Sequence, residues 1–215
     1  MIRPDFIKPG KEYSMGSLDM KDCPSSPIDL FMKWLEEALN KSKLEEAMVL
    51  STVGENNRPS SRVVLLKGID DEGLRFFTSY NSRKGMELAG NPYAAINFYW
   101  PEMERQVRFE GAVELLTEEE SIKYFDSRPE ESRINAIISP QSQTIPDRDF
   151  LINEREKLKE KLDSGSTELS KPSSWGGYIF KPYQIEFWQG RPGRLNDRIL
   201  YNLENEVWEK NILAP

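Results

Sequence analysis

Three arginines follow an aromatic pair and a Gly/Pro turn in the segment "FWQGRPGRLNDR" (187–198). Arg191, Arg194 and Arg198 stand within one short stretch of a chain whose formal net charge is −7. Such a local excess of guanidinium groups in an acidic protein suggests a bound anion, because guanidinium pairs well with phosphate and carboxylate.

A second group of cations stands in "SYNSRKGMELAGNP" (79–92). Ser82 is a suitable N-cap residue, which places Arg83 and Lys84 in the first turn of a helix. Cations are unfavourable there, because the helix dipole is positive and the free N–H groups point the same way. A phosphate in front of the helix would account for them; a solvated helix start with two stray charges is the alternative.

Two predicted strands carry further polar groups. In "RQVRFEG" (105–111) Gln106 and Arg108 share one face and Val107 lies on the other, so the polar pair faces either solvent or a ligand. In "SRVVLLKG" (61–68) Arg62 and Lys67 bracket four aliphatic residues that we expect to be fully buried. Charges at the ends of such a strand reach water or flank a ligand.

The segment "YFDSRPEES" (124–132) places Tyr124, Arg128 and Ser132 at spacings of four. Pro129 is expected to begin a new helix, so the three side chains do not share one uninterrupted helical face. They could converge on a phosphate, with Arg128 giving bidentate contacts, or form a surface pair beside a helix cap.

Residue counts exclude several chemistries. The chain has no histidine and one cysteine, which removes histidine-dependent nucleophilic triads, histidine bases and the usual zinc or haem ligand sets, so no metal is expected. Cys23 is expected to be an incidental surface thiol in a reducing, cytoplasmic setting. An enzyme of this composition would use carboxylates or, as we favour, an organic cofactor.

The 215 residues fit one soluble domain with a sizeable core. No apolar run approaches a membrane-spanning length, and the start lacks the apolar region of a signal peptide. The acidic net charge argues against a nucleic-acid-binding barrel, which the mixture of Arg, Lys and aromatic residues could otherwise suggest.

The hydrophobic pattern predicts several antiparallel strands and few helices. Helices are expected from Pro27, from Ser82, from Thr117 with capping-box spacing, and over 147–165 as an exposed charged helix. "DDEG" (70–73) is typical of a hairpin turn. Strands are expected at 47–53, 61–68, 74–80, 94–100 and 105–116, and separately in "GGYIFK" and "QIEFWQG". Residues 1–26 are predicted to be a flexible arm, and residues 27–215 are predicted to be one β-barrel domain with helical additions.

An ordered series of motifs resembles the pyridoxine (pyridoxamine) 5′-phosphate oxidase family over about 27–215. The motifs are "SRVVLLKG", "FFTSYNSRKGMEL", "NPYAAINFYW", "RQVRFEG", "YFDSRPEESRI", "SPQSQ", "WGGY", "IEFWQGRPGRLNDR" and the ending "LAP". The resemblance implies an α+β, mainly β fold, a split β-barrel of the FMN-binding type, in a homodimer with FMN at the subunit interface.

Carried over by position, the resemblance implies an FMN site and a site for the phosphorylated substrate. The FMN site would comprise Arg62, Val63, Val64, Leu65, Leu66, Lys67, Phe77, Thr78, Arg83, Lys84, Gln106, Gln141, Ser142, Trp188 and Arg198. The substrate site would comprise Lys67, Tyr124, Arg128, Ser132, Arg194, Leu195, Asn196 and Tyr13.

The implied reaction transfers a hydride from C4′ of pyridoxine 5′-phosphate or pyridoxamine 5′-phosphate to flavin N5, and O2 then reoxidises the flavin and yields H2O2. Arg194, over the pyridine ring, and Asn196 would be the catalytic residues. We expect Arg191 to be a surface residue and Asp197 to orient an arginine rather than to act as a base.

The chain departs from the family pattern at two site positions. "RLNDR" has Asn196 where the family has histidine, and asparagine cannot carry a proton or a charge. In "PGKEY" Tyr13 remains as a possible lid residue, but Gly10 replaces an arginine. These departures leave open a protein that binds FMN or pyridoxal phosphate without useful turnover. A flavin enzyme of the same fold with another substrate is a further alternative.

Overall fold

The computed structural model describes residues 12–215, so residues 1–11 of the predicted arm, with Gly10 among them, lie outside the described residues. The described chain contains five α-helices: α1 Pro27–Leu39, α2 Arg83–Gly90, α3 Glu118–Ser127, α4 Glu130–Ile138 and α5 Arg148–Asp163. Its nine strands are β1 Ala47–Val53, β2 Pro59–Leu65, β3 Gly68–Asp70, β4 Gly73–Ser79, β5 Tyr93–Trp100, β6 Arg105–Leu115, β7 Trp175–Gln189, β8 Asp197–Glu204 and β9 Val207–Ile212. None of the helices described is long and apolar enough to cross a membrane.

The strands are ordered β2-β1-β5-β6-β7-β4-β3, and β8 pairs with both β7 and β9. The pairs β3–β4, β4–β7, β7–β8 and β8–β9 are antiparallel. The chain divides into two compact units. Unit 1 comprises the described residues up to Val49 together with Ile96–Glu110 and Pro182–Pro215, and unit 2 comprises Leu50–Ala95 and Gly111–Lys181.

The predicted helix starts are confirmed by their caps. Ser26 caps α1 with Pro27 at the first helical position, Ser82 caps α2, and Thr117 forms a full capping box with Glu120 at the start of α3. The predicted charged helix is α5, which buries none of its residues.

Unit 1 has an aromatic core against the apolar face of α1. Phe31 is fully buried, and its ring centroid lies 4.9 Å from that of Phe98 and 5.0 Å from that of Phe109. Trp34, one turn further along α1, packs edge-on against Phe187 at 5.3 Å. Aromatic pairs at these separations stabilise a core beyond the area that they bury.

Residues 12–26 of the predicted arm make specific contacts in unit 1. The amides of Ser14 and Met15 both donate to the Glu104 carboxylate, at 2.7 and 2.8 Å. The expectation that Cys23 is a surface thiol is wrong: the residue is 6% exposed, and its thiol donates to the Asp19 carbonyl. Burial raises the pKa of the Cys23 thiol. The domain boundary at residue 26 stays a prediction.

In unit 2 the predicted turn "DDEG" joins β3 to β4, with Asp70 paired to Gly73. Gly73 has φ 147°, and a Cβ there would lie 2.1 Å from the Phe180 carbonyl oxygen, so only glycine fits.

The expected full burial of residues 63–66 is wrong. Val63 is 65% exposed and Leu65 is 37% exposed, whereas Leu66 is buried. The reason is that β2 is the terminal strand in the sheet order and that its residues line a cavity. An apolar run at a sheet edge is therefore not evidence of a buried strand.

Two further differences concern the C-terminal part. "GGYIFK" and "QIEFWQG" belong to one strand, β7, rather than two. Pro182 lies within it, between the residues that pair with β4 and those that pair with β8. The hairpin β8–β9 was not predicted; its turn residues Asn205 and Glu206 both have positive φ, as a type I′ turn requires.

Candidate functional site

A cavity of about 760 Å³ lies entirely within unit 2; we call it the first cavity. Residues of β2, β4, the start of α2 and one face of α4 line it, together with Tyr124, Arg128 and Trp175. Its lining contains five cationic residues and no Asp or Glu: Arg62, Lys67, Arg83, Lys84 and Arg128. In a chain with a net charge of −7, this is a strong local concentration of positive charge.

Lys84 is a buried cation with neutral partners. Its Nζ donates to Thr78 Oγ1 at 3.0 Å, to Gln141 Oε1 at 3.0 Å and to Ser82 Oγ at 3.3 Å. Burial, with a smaller contribution from the charge of Arg62, lowers the pKa of Lys84 to about 8. An ammonium group that is costly to keep charged would be stabilised by an anion entering the cavity.

Arg62 and Arg83 are partly neutralised by one carboxylate that sequence reasoning did not single out. Glu87 Oε2 lies 3.1 Å from Arg62 Nη2, and Glu87 Oε1 lies 2.9 Å from Arg83 Nε. Burial alone would raise the pKa of Glu87, but hydrogen bonds from Thr52, Ser60 and Arg83 and the charge of Arg62 lower it to about 2. The i,i+4 spacing from Arg83 is the signal that could have found Glu87.

Aromatic rings form one wall of the first cavity. The rings of Phe77 and Tyr124 are stacked, with centroids 3.7 Å apart, and the Trp175 ring is stacked 5.7 Å from Phe77. The Arg128 guanidinium lies over the Trp175 ring at 4.8 Å from its centroid. Arg128 Nη1 is buried and has no hydrogen-bond partner among the described residues. Burial raises the pKa of Tyr124 and lowers that of Arg128.

Most of the predicted FMN and substrate-phosphate residues therefore lie together. Gln141 accepts a hydrogen bond from Thr78 at 2.7 Å, and Ser142 has a left-handed backbone with φ 70°. The predicted residues that line the first cavity are Arg62, Val63, Val64, Leu65, Lys67, Phe77, Thr78, Arg83, Lys84, Tyr124, Arg128, Ser132, Gln141 and Ser142. Among the predicted FMN residues, Leu66, Gln106, Trp188 and Arg198 are not in that lining.

A second cavity, of about 500 Å³, lies within unit 1. Four predicted site residues line it: Tyr13, Trp188, Arg194 and Asn196. The Tyr13 ring packs edge-on against that of Trp188 at 5.4 Å, and Arg194 is exposed on a backbone with φ 62°. Non-glycine residues with such φ values are often found at functional sites.

Arg191 is not the plain surface residue that we expected. Its Nη1 donates to the Gly16 carbonyl at 2.7 Å, and its backbone N–H donates to Asn196 Oδ1 at 3.1 Å. Asp197 lies 3.5 Å from Arg191 Nε and also accepts from the Leu18 amide, so Asp197 does contact an arginine, as predicted. Arg191 thus connects the 191–197 loop to the preceding N-terminal segment.

Arg198 and Gln106 have different surroundings. Arg198 Nε donates to Glu186 at 2.8 Å, which raises the pKa of Arg198, and its Nη1 donates to the Ala214 carbonyl. Arg198 and Leu195 line a third cavity of unit 1, near the C-terminus. Gln106 is half-buried on β6, where Val107 lies buried on the opposite face, as predicted. The roles of these residues stay predictions.

Trp175 is a residue of the cavity lining that was not predicted, although it belongs to the motif "WGGY". A buried tryptophan next to two glycines is a signal of close packing, and Trp175 is 6% exposed. Its place beneath Arg128 could not be inferred from spacing, because the two residues are 47 positions apart in the sequence.

The lining of the first cavity is suited to an anionic small molecule with a flat ring, because clustered cations and stacked aromatic side chains line the same space. Residues 35–161 match the family described as pyridoxamine 5′-phosphate oxidase, and residues 175–215 match the pyridoxine 5′-phosphate oxidase C-terminal dimerisation region.

Relatives that match nearly the whole chain have names of the same family. The chain is 48% identical over 214 residues to a pyridoxine/pyridoxamine 5′-phosphate oxidase of Leptospira interrogans, covering 99% of each chain. It is 50% identical over 209 residues to the protein of the same name from Actinobacillus succinogenes, covering 95% of this chain and 97% of that one. The crystal structure of PhzG from Burkholderia lata, in complex with tetrahydrophenazine-1-carboxylic acid, is 32% identical with a TM-score of 0.84, covering 93% of this chain and all of that one.

The chain belongs to the pyridoxine/pyridoxamine 5′-phosphate oxidase family. The resemblance and the fold class predicted from the sequence are thereby confirmed. The names of the relatives indicate an oxidoreductase.

Proposed function

We propose that this protein is an FMN-dependent oxidase that converts pyridoxine 5′-phosphate and pyridoxamine 5′-phosphate to pyridoxal 5′-phosphate, with O2 as acceptor and H2O2 as product. It would serve the synthesis or salvage of vitamin B6 in the cytoplasm. The observation that carries the proposal is the first cavity, with five cations and no carboxylate in its lining.

The residues of the first cavity fit a flavin phosphate. Lys84 has a buried ammonium with neutral partners, and it stands in the first turn of α2, where free backbone N–H groups attract anions. Thr78 and Gln141 hold this ammonium in place, while Arg62 and Arg83 add charge that Glu87 only partly offsets. FMN, when bound, would supply the hydride acceptor of the reaction.

The remaining polar groups of the first cavity fit a second phosphate. Arg128 presents a buried guanidinium nitrogen that has no hydrogen-bond partner among residues 12–215, and Tyr124 and Ser132 line the same space. A phosphate bound there would fix one end of a pyridine ring, and such fixed orientation lowers the barrier to transfer between two stacked rings.

The second cavity is proposed to complete the site in a homodimer. The match of residues 175–215 to a dimerisation region supports two subunits. Arg194 and Asn196 would then contact the substrate ring as catalytic residues, with Tyr13 and Leu195 beside them. Trp188, Gln106 and Arg198 would contact FMN. Asn196 Oδ1 already accepts from the Arg191 amide, which leaves its NH2 group to donate to a ligand.

The test is an absorption spectrum of the purified protein, followed by anaerobic addition of pyridoxine 5′-phosphate. The proposal predicts a flavin spectrum that bleaches on addition and returns with air, with H2O2 formed in proportion to product. A flavin spectrum that no B6 phosphate bleaches would instead favour a binding protein without turnover.

The likeness to PhzG supports a second candidate, a flavin enzyme acting on another substrate. Tetrahydrophenazine-1-carboxylic acid is therefore the competing compound in the same anaerobic assay. Bleaching by that acid and not by either B6 phosphate would replace the proposed substrate.

A further inference from the structure

Arg128 is held in the first cavity without a neutralising carboxylate. Its Nη1 is buried without a hydrogen-bond partner in the described part of the chain, and no Asp or Glu lines the cavity. A guanidinium of this kind needs another group to fix its position, since long side chains lose considerable rotamer freedom when they are ordered.

Trp175 is the nearer of two aromatic rings that lie against this guanidinium; the other is Phe125, whose ring centroid is 6.0 Å from Arg128 Cζ. The Arg128 Cζ is 4.8 Å from the centroid of the Trp175 ring, within the range of a cation–π interaction. The indole is itself fixed: its plane is 5° from that of Tyr124, and it packs edge-on against Phe125 at 5.3 Å.

The backbone of Trp175 is fixed by a buried lysine. Lys171, whose side chain is 2% exposed, donates to the Trp175 carbonyl at 2.8 Å and pairs with Glu118 at 3.0 Å. Two residues further along β7 the packing is also close, because a Cβ at Gly177 would lie 2.6 Å from the Phe77 ring. Lys171 thus holds the backbone that carries the indole.

We infer that Trp175 is a positioning residue for anion binding: its indole face holds the Arg128 guanidinium in place while leaving the full positive charge for the phosphate of the ligand. A carboxylate could position the arginine equally well, but it would cancel that charge and occupy its N–H groups. The inference rests on the proposed function, because it takes the ligand to be a phosphorylated B6 compound.

The test is a double-mutant cycle on the flavin-loaded protein, with the binding of pyridoxal 5′-phosphate measured by calorimetry. Replacing Trp175→Leu is expected to weaken binding by about tenfold, and Trp175→Phe by less, because benzene is a poorer cation–π partner than indole. In an Arg128→Gln background Trp175→Leu is expected to add no further loss, because its effect passes through the arginine.

The matched control is Trp34→Phe. Trp34 is also a buried indole beneath an arginine, with Arg105 Cζ 4.3 Å from the ring centroid, but it lies in unit 1 and does not line the first cavity. The control variant should lose a comparable amount of thermal stability and bind pyridoxal 5′-phosphate unchanged. If Trp175→Leu does not fold, the cycle is run with Trp175→Phe.

Additive losses in the double variant, or unchanged binding in the Trp175 variants, would overturn the inference. If the wild-type protein binds no pyridoxal 5′-phosphate, the proposed substrate is wrong. The same double-mutant cycle is then measured with inorganic phosphate as the ligand. Coupling between Trp175 and Arg128 in that titration would sustain the inference. Absence of phosphate binding, or equal binding in all variants, would end it.

Discussion

Arg62 Nη2 lies 3.1 Å from Glu87 Oε2, so an arginine predicted to hold a ligand phosphate is already ion-paired within the protein. The same carboxylate pairs with Arg83 and accepts hydrogen bonds from Thr52 and Ser60. With its side chain 9% exposed, Glu87 fixes the positions of two cations at the edge of the cavity and removes one unit of positive charge.

Replacing Glu87→Gln should destabilise the protein by about 2 kcal/mol, because two arginines lose their counter-charge in a partly buried site. The folded-state pKa of Glu87, about 2, lies below its ordinary value of 4.5. This carboxylate therefore contributes stability that is present above pH 4.5 and is lost as the pH falls towards 2.

Urea unfolding at several pH values measures both the destabilisation by Glu87→Gln and its dependence on pH. The decrease in the free energy of unfolding at acid pH should be smaller in the Glu87→Gln variant than in the wild type. Glu72→Gln is the matched control, because Glu72 also pairs with an arginine but is 72% exposed. It should change stability by less than about 0.5 kcal/mol. Equal losses in the two variants would contradict the role given to Glu87.

Lys84 should make the binding of FMN depend on pH. Its pKa in the ligand-free protein is about 8, so the ammonium is charged below that pH and loses its proton above it. A bound phosphate stabilises the charged form, so affinity should fall by up to about tenfold per pH unit as the pH rises above 8. The second ionisation of the phosphate, near pH ~6, is complete below this range.

Fluorescence titration of the flavin-free protein with FMN, from pH 7 to about 10, measures this dependence. Lys84→Gln should bind more weakly and lose most of the slope. In the folded, ligand-free protein the pKa of Lys84 is about 8, which is lower than its ordinary value of 10.5 in the unfolded chain. Between these two pH values the unfolded chain binds the proton more readily than the folded protein does, so the free energy of unfolding of the ligand-free protein should rise with pH. A slope that persists in the variant would assign the titration to another group.

The N-terminal segment should be held by the buried Glu104, which is 6% exposed and accepts from the amides of Ser14 and Met15. Replacing Glu104→Ala should lower the hydrogen-exchange protection of these two amides by roughly 30-fold, since charged acceptors contribute about 2 kcal/mol. The Glu104→Gln variant keeps one acceptor oxygen. Its hydrogen-exchange protection at the two amides should therefore lie between that of Glu104→Ala and that of the wild type. Unchanged protection at Ser14 and Met15 would show that other contacts hold the segment.

Asn196 should make turnover insensitive to pH where a histidine would titrate. The variant Asn196→His is expected to turn over faster and to acquire an inflection in its kcat profile near pH ~6.5. Asn196→Ala, which loses the hydrogen bond from the Arg191 amide, separates the effect of that bond from the effect of a titrating side chain. Identical rates and pH profiles in the wild type and in Asn196→His would show that the replacement of the family's histidine by asparagine does not affect turnover.

The sequence predicted the local elements well and the surroundings of the site less well. Caps at Ser26, Ser82 and Thr117 are signals written within a few residues, so the helix starts were predictable. The exposure of Val63 depends on the position of β2 in the sheet order, which periodicity does not encode. The Trp175–Arg128 contact likewise depends on packing between distant parts of the sequence.

The cations in the site were predictable as residue types but not in their pairing. The position of Lys84 at a helix start gave a physical reason to expect an anion, and its neutral partners agree with that reason. Glu87 and Glu186 changed the expectation for Arg62 and Arg198, because each of these arginines already has a carboxylate partner.

If the proposed function is right, the cations of the first cavity bind the phosphate of a flavin. The most direct measurement compares the affinities of the flavin-free protein for FMN and for riboflavin, which differ only in that phosphate. FMN should bind at least about 100-fold more tightly than riboflavin at pH ~7, and Lys84→Gln should reduce this ratio of affinities. Equal affinities for the two flavins, in the wild type and in the variant, would contradict it.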